Sequence, residues 1–249
     1  MTGRAAPRPR VRPSLTRRAG GATQPSFPPG PPLDLTLQGI LQRLLLYLPV
    51  LLLSLTVHEY AHAWTARKLG DDTAERIGRL TLNPLAHADP IGTFLLPVLG
   101  VPFGWARPVP VNPARFRRDV RMTTGMMITS LAGPFANFAL AVLATVAMGL
   151  LYRLAPAAAD AYHGIAAFLA IAIQMNVALG VFNMLPLPPL DGSRIVDALL
   201  PARLRPQWEA FSRVAPFLLL VIVFWGWRII AVPIAAGINV LERLLHAIV

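Results

Sequence analysis

The sequence predicts an all-α polytopic membrane protein, a bundle of about four to six transmembrane helices. Of its 249 residues, 55% are hydrophobic and only 14% are charged, which is too apolar for an ordinary soluble domain. Several segments contain about 20 mainly apolar residues, the length that a helix needs to cross a bilayer. The chain has no cysteine, so disulfides and thiolate metal sites are excluded.

Residues 1–34 are predicted to form a disordered tail ahead of a membrane-embedded domain at residues 35–249. The tail combines arginines with proline, glycine, serine and threonine, and such a composition buries too little apolar surface to fold. No compact apolar region with a small-residue cleavage site follows its basic start. We therefore expect no cleaved signal peptide.

The first predicted span, about Leu37 to Trp64, carries His58, Glu59 and His62 in an H-E-x-x-H pattern. A helix turns about 100° per residue, so both imidazoles lie on one face and can bind one metal ion. Glu59 is then placed beside a metal-bound water. Ionisable residues in a membrane span are energetically unfavourable, so the cluster predicts a functional site. The alternative is a chance motif whose histidines are satisfied core residues.

Two extended pieces follow the first span. Apolar and polar residues alternate over Gly78–Pro84, and Arg107–Pro113 has the same character, which predicts a small β-hairpin. Its strands would be able to pair with an unwound substrate. Between them Ile91–Phe103 is apolar but too short to span comfortably, and it is broken by prolines and a glycine. We interpret it as a re-entrant or interfacial element.

The second and third spans are predicted at about Met126–Leu154 and His163–Leu185. The third contains Gln174, Asn176 and Asn183, more amides than a lipid-facing helix tolerates, and should face the bundle.

Three prolines then break the helix, and Asp191 follows them on irregular backbone. The last apolar region, about Val214–Val249, is interrupted by Arg228 and Pro233. It is interpreted either as one long span with a short helix or as two spans.

The loop charges predict the orientation of the bundle. The formal net charge is +11, which in a membrane protein indicates cytoplasmic loops and anionic lipid headgroups, and no pattern typical of nucleic-acid binding is present. The connectors Arg67–Arg121 and Arg194–Arg213 are basic, whereas Arg153 is the one such residue between the second and third spans. The positive-inside rule therefore predicts a cytoplasmic location for the motif end of the first span and for Asp191. The basic tail would also favour the cytoplasm, so a membrane crossing by Ile91–Phe103 stays open.

Without cysteine, a zinc site must use His, Asp or Glu side chains, and hydrolytic zinc takes three of them plus one open position. His58 and His62 supply two ligands, and Asp191 is the best-placed candidate for the third. Glu59 is the candidate general base. Asn183 is a candidate donor to the oxyanion, and a simple interhelical hydrogen bond is an equally good interpretation of it.

These residues resemble the site-2 protease family of intramembrane zinc metalloproteases, and in particular its compact bacterial branch without a PDZ domain. The resemblance rests on two paired motifs, His58-Glu59-x-x-His62 and Asn183-x-x-Pro186-x-x-x-x-Asp191-Gly192, and covers roughly residues 37–200. Further matching motifs are Gly78-Arg79-Leu80-Thr81-Leu82-Asn83-Pro84, His87-x-Asp89-Pro90-x-Gly92-Thr93, Pro108-Val109-Pro110-Val111-Asn112-Pro113 and Gly133-Pro134-x-x-Asn137.

The resemblance implies a multi-pass protease of the bacterial inner or plasma membrane, with its active site toward the cytoplasm. It would hydrolyse peptide bonds in or near transmembrane segments of membrane proteins, by Glu59-assisted attack of a zinc-bound water. His58, His62 and Asp191 would bind Zn²⁺, and Asn183 would hold substrate or oxyanion. Membrane protein or peptide substrates and the lipid bilayer are its expected partners, nucleic acid is not, and the oligomeric state is left open.

Two other function classes compete with this interpretation. A non-catalytic metal-binding membrane protein, such as a divalent-metal transporter, predicts ligands strung across the bilayer and internal repeats. We find candidate ligands at one depth and no repeat. A family member that has lost activity and acts as a scaffold would lack catalytic groups, yet all the candidates are present.

Three further polar residues receive structural interpretations. His87 could line the site or bind a second metal, but bonding to local backbone is favoured. Asn137 could contact substrate or pack a helix start. Asp197 is expected to be solvated or paired with an arginine.

Overall fold

A computed structural model of the chain describes residues 36–99, 104–155 and 163–249. These residues form helices joined by turns and extended segments, and the described part contains no β-strand. The predicted N-terminal tail lies outside it. The longer helices, labelled in chain order, are α1 (Leu37–Lys68), α2 (Met122–Leu154), α3 (His163–Asn183), α4 (Gly192–Leu199), α5 (Arg205–Phe224) and α6 (Trp227–Ile248). Helix α1 includes a π-helical stretch, Arg43–Tyr47.

Four of the described helices are long and apolar enough to cross a membrane: α1, α2, α3 from Gly164, and α6 from Arg228. The three predicted spans are found, although α1 extends to Lys68 and α2 begins at Met122. The last apolar region forms two helices, α5 and α6, and of these α6 meets the length and hydropathy needed to span. These features fit a multi-pass membrane protein.

The predicted β-hairpin between the first two spans is wrong. The chain after α1 forms helical turns instead, at Thr73–Arg76 and Pro84–His87. Proline lacks an N–H and is favoured in the first turn of a helix. The Asn83 side chain accepts a hydrogen bond from the Leu85 N–H and so caps the start of this turn. The Asn-Pro pair that we interpreted as the end of a strand therefore begins a helical turn.

The second predicted strand is an extended segment, residues 104–112, that pairs with no other strand in the described part of the chain. Pro108 and Pro110 have no N–H, so alternate positions lack the donor that a β-ladder requires. Val109 and Asn112 donate their N–H groups to carboxylates, Glu59 and Asp71 respectively. The segment is thus held by side chains from α1 and the residues just after it.

The predicted re-entrant element is helical where it is described. A π-helical turn, Pro90–Leu95, continues as Leu96–Val98. It packs against α1, and a Cβ at Gly92 would lie 2.4 Å from the Trp105 ring, so only glycine permits this approach. Residues 100–103, the end of the predicted element, lie outside the described part.

Helix α2 is the central element of the bundle because it packs against α1, α3, α4 and α6. Its core face meets α3 and α6 in one apolar cluster that includes Met148, Ile173 and Leu245. Lipid is as apolar as these side chains, so close packing and polar contacts must hold the helices together. The resulting arrangement brings the middle of α2 against the His-containing turn of α1.

Candidate metal centre

The two motif histidines lie one turn apart on α1 and face the same way, as their spacing predicts. Their ring centroids are 4.6 Å apart and nearly perpendicular, and their Nε2 atoms lie 3.0 Å from each other. His58 is 5% and His62 is 8% exposed, so both imidazoles are removed from bulk solvent. A pair of buried imidazoles needs defined polar partners.

Asp191 meets these imidazoles from the far end of the chain. Its Oδ2 atom lies 3.2 Å from the Nε2 atom of His58 and 3.3 Å from that of His62. The residue stands immediately before α4, after the proline-rich turn that ends α3. The three side chains form the group of described residues that could hold a metal ion.

The other ring nitrogen of each histidine is already bonded. His58 Nδ1 lies 2.6 Å from Asn137 Oδ1, and His62 Nδ1 lies 2.7 Å from the Thr129 carbonyl. Amide and peptide oxygens only accept hydrogen bonds, so both Nδ1 atoms carry protons. When both rings are neutral, their Nε2 atoms present lone pairs toward each other and toward the Asp191 carboxylate. A positive charge between the three groups, carried by a metal ion or by a proton, would offset their repulsion.

A zinc ion fits this donor set. Tetrahedral zinc with bonds of about 2.0–2.1 Å separates its ligand atoms by about 3.3 Å. The three donor atoms are 3.0, 3.2 and 3.3 Å apart. Two imidazoles and one carboxylate make up the ligand set of a hydrolytic zinc site, and metal-bound histidines usually donate their second N–H to an oxygen acceptor.

Glu59 does not join this triangle, but it lines a cavity that the side chains of His58, His62 and Asp191 also line. It is 8% exposed, and its Oε2 atom accepts a hydrogen bond of 2.8 Å from the Val109 N–H. The bond uses one of the carboxylate's several lone pairs and leaves the others available to a proton donor. Glu59 is therefore a buried, oriented carboxylate next to the ligand group.

The segment that holds Glu59 is itself fixed along its length. The Arg107 N–H donates to the His87 carbonyl over 2.8 Å, and the Arg79 guanidinium donates to the carbonyls of Arg107 and Pro108. Burial lowers the pKa of Arg79, and the nearby charge of Arg107 acts in the same direction. Backbone groups of Arg107 and Pro108 are thus bonded to residues of the preceding loop.

Helix α2 approaches the histidines through a residue without a side chain. A Cβ at Gly133 would lie 2.4 Å from His62 Nε2 and 2.6 Å from His58 Cε1. Pro134 follows inside the helix and cannot donate the i→i−4 bond. Gly133 therefore allows α2 to contact the imidazoles as well as to pack closely against α1.

A cavity of about 420 Å³ opens beside the ligand group. Asn183 lines it, and its side-chain amide donates to the Leu179 carbonyl over 3.0 Å, a bond within α3. An amide carries two N–H groups, and this bond uses one. Among the described residues Asn183 makes no interhelical hydrogen bond, and its predicted role toward an oxyanion stays a prediction.

His87 and Asp197 make contacts outside the ligand triangle, whereas Asn137 bonds one of its histidines. His87 is 1% exposed, and its Nε2 atom bonds the Thr81 carbonyl over 2.8 Å, which is a local backbone contact. Asp197 pairs with Arg194 and accepts a hydrogen bond from the Trp208 indole. Asn137 lies in the middle of α2, and neither a helix start nor a substrate describes its contact with His58. The sequence analysis did not identify the Thr129 carbonyl, which bonds His62. Every residue has a backbone carbonyl, so a sequence cannot single one out.

Comparisons with known proteins identify a family and relatives of this chain. The family model described as Peptidase family M50 matches residues 148–225, a range that contains Asn183 and Asp191. A Bacillus subtilis protein named "Putative zinc metalloprotease YwhC" is 42% identical over 202 residues, which cover 80% of this chain and 90% of that protein. No solved structure matches significantly.

Two longer mycobacterial relatives are named "Putative zinc metalloprotease Rip2". The Mycolicibacterium smegmatis protein is 38% identical over 167 residues, which cover 63% of this chain and 60% of that protein. The Mycobacterium tuberculosis protein is 36% identical over 158 residues, which cover 64% and 57% respectively.

Replacing Gly133 with alanine should weaken zinc binding by about 10- to 100-fold, because the new methyl group would push the imidazoles apart. Competition with a chromophoric chelator in detergent would measure the affinity. Gly164→Ala is the matched control, since a Cβ there meets nothing within 4 Å. Equal zinc affinities for Gly133→Ala and the parent chain would contradict the close approach of α2.

Proposed function

Because the chain belongs to peptidase family M50, the site-2 protease family, we propose that it is an intramembrane zinc endopeptidase of a bacterial plasma membrane. The observation that carries the proposal is the convergence of one side-chain atom each from His58, His62 and Asp191, with 3.0–3.3 Å between the atoms. These residues would hold the zinc ion. Zinc bound there would polarise the scissile carbonyl and make a water molecule acidic near neutral pH.

Glu59 is proposed as the general base. Its carboxylate would take a proton from the attacking water as the water oxygen bonds to the peptide carbon. The same proton would then pass to the leaving nitrogen when the C–N bond breaks, which regenerates the carboxylate. The hydrogen bond from the Val109 N–H would hold the carboxylate in orientation through both transfers.

Asn183 is proposed to stabilise the negative charge that develops on the carbonyl oxygen. It lines the same cavity as Glu59 and Asp191, and one of its N–H groups is not used by the bond to Leu179. A donor already in place when charge develops is worth about 3–4 kcal/mol of transition-state stabilisation.

The substrates proposed are membrane-spanning segments of other proteins. The histidines belong to a helix that is apolar enough to cross a bilayer, which favours a substrate from the same environment. A helical substrate must unwind before water can reach its peptide bonds. A divalent-metal transporter is the alternative, and the grouping of the ligands with a separate buried carboxylate, Glu59, favours hydrolysis over transport.

The active site is proposed to face the cytoplasm. His62 lies near the end of α1, and Asp191 follows the end of α3, so both sit beside basic connectors. Arginine and lysine are enriched in cytoplasmic loops.

Glu59→Gln should retain zinc and lose about 10²–10⁴-fold in cleavage rate, because glutamine keeps the shape of the base but cannot accept the proton. His58→Ala and Asp191→Ala should lose both zinc and cleavage. Metal content and cleavage of a model membrane substrate by the purified protein in detergent would measure both properties. Chelation should abolish cleavage by the parent chain, and added Zn²⁺ should restore it. Full activity of Glu59→Gln would refute the mechanism.

Asn183→Leu should lower kcat by about 10²–10³-fold with zinc affinity unchanged, since the variant keeps the side chain's size but removes the donor. Ser130→Ala is the control, because Ser130 lines the same cavity and has no proposed role. Single-turnover cleavage would separate chemistry from substrate binding. Equal rates for Asn183→Leu and Ser130→Ala would remove Asn183 from the mechanism.

Single cysteines can report the orientation, because the natural chain has none. Asp119→Cys should resist a membrane-impermeant maleimide in intact bacterial spheroplasts and react after permeabilisation. Ala158→Cys, between the second and third spans, should react in both cases. The opposite labelling pattern would place the site on the outer face.

A further inference from the structure

Three buried polar side chains from three helices form a chain of hydrogen bonds that ends on His58. Ser54 lies on α1, Asn137 on α2 and Asn176 on α3. Their exposed fractions are 0%, 0% and 2%, so water does not compete for their partners. The proposed hydrolytic chemistry uses none of the three.

The last bond of this chain is between Asn137 Oδ1 and His58 Nδ1, over 2.6 Å. This bond requires a proton on His58 Nδ1 only if the amide oxygen of Asn137, and not its amide nitrogen, faces the ring. The Asn137 nitrogen donates to Asn176 Oδ1 over 2.8 Å and to the Ser54 carbonyl over 3.3 Å. The carbonyl can only accept, which fixes the orientation of the Asn137 amide.

Asn176 is oriented by the same logic. Its nitrogen donates to the Ala172 carbonyl over 2.8 Å and to Ser54 Oγ over 2.9 Å. Its oxygen is therefore the atom presented to Asn137. A reversal of either amide would set donor against donor or acceptor against acceptor in a buried site, which is strongly unfavourable.

We propose that Asn137 and Asn176 are positioning residues that hold His58 in its Nδ1-protonated tautomer, with Nε2 facing His62 and Asp191. Asn137 acts on the ring directly, and Asn176 acts through Asn137. Helix α3 thereby takes part in the metal centre although its residues supply no ligand to the triangle. The proposal deepens the zinc site proposed above and rests on it only for the consequence on metal affinity.

The first test reads the tautomer in the metal-free protein and needs no activity. NMR spectra of the full chain in detergent, with its histidines labelled with ¹⁵N, show which ring nitrogen carries the proton. The signals that disappear in His58→Gln belong to His58. The parent chain should show a proton on His58 Nδ1. Asn137→Leu and Asn176→Leu should show a mixture of tautomers. A parent chain in which His58 Nδ1 carries no proton would overturn the proposal without any variant having to fold.

The second test measures Zn²⁺ affinity by chelator competition. Asn137→Leu should weaken binding by about 10- to 100-fold, and Asn176→Leu by a smaller factor. Thr145→Val is the matched control: it removes a buried hydroxyl of α2 that bonds the Ala141 carbonyl and is not linked to His58. It should leave zinc affinity unchanged. Losses in the two asparagine variants no larger than in Thr145→Val would overturn the positioning role.

The outcomes separate this proposal from the proposed function. A parent chain that binds zinc and cleaves substrate, with no proton on His58 Nδ1, would refute the positioning role alone. A parent chain that binds no zinc, with His58 protonated at Nδ1 and tautomer mixtures in the asparagine variants, would refute the metal site and support the positioning role.

Discussion

The structure depends on the close approach of three polar side chains between its helices. Two imidazole nitrogens and a carboxylate oxygen lie 3.0–3.3 Å from one another in a largely buried site. Such an arrangement is unfavourable without a positive charge between the three groups. Tight packing of α2 against α1, through Gly133, prevents the rings from turning apart. The fold therefore keeps the ligands together in a geometry that suits a bound cation.

The sequence was most informative where spacing alone determines geometry. A one-turn separation puts His58 and His62 on one face of any helix, and a run of apolar residues marks a span whatever surrounds it. Asp191 was identified by its chemistry and its position after the third span, and its carboxylate lies beside both imidazoles. The histidine spacing and the apolar runs are local features, whereas the approach of Asp191 to the imidazoles is a tertiary contact.

The errors arose where backbone partners decide the structure. Alternation around Val109 is typical of strands, but the Val109 and Asn112 N–H groups donate to carboxylates and the Arg107 carbonyl accepts from Arg79. Pro108 and Pro110 lack the N–H that a β-ladder requires. The contact of Asn137 with His58 was not predicted, because it joins residues 79 positions apart and no local pattern records it.

The ligands of the proposed centre are also far apart in the order of synthesis. His58 and His62 enter the membrane early, whereas more than half of the chain's length separates them from Asp191. A nascent chain in which only α1 and α2 have been made still lacks the acid. An unfinished chain therefore holds two imidazoles without the carboxylate that completes the triangle, and the order of synthesis keeps the three groups apart until α3 has been made.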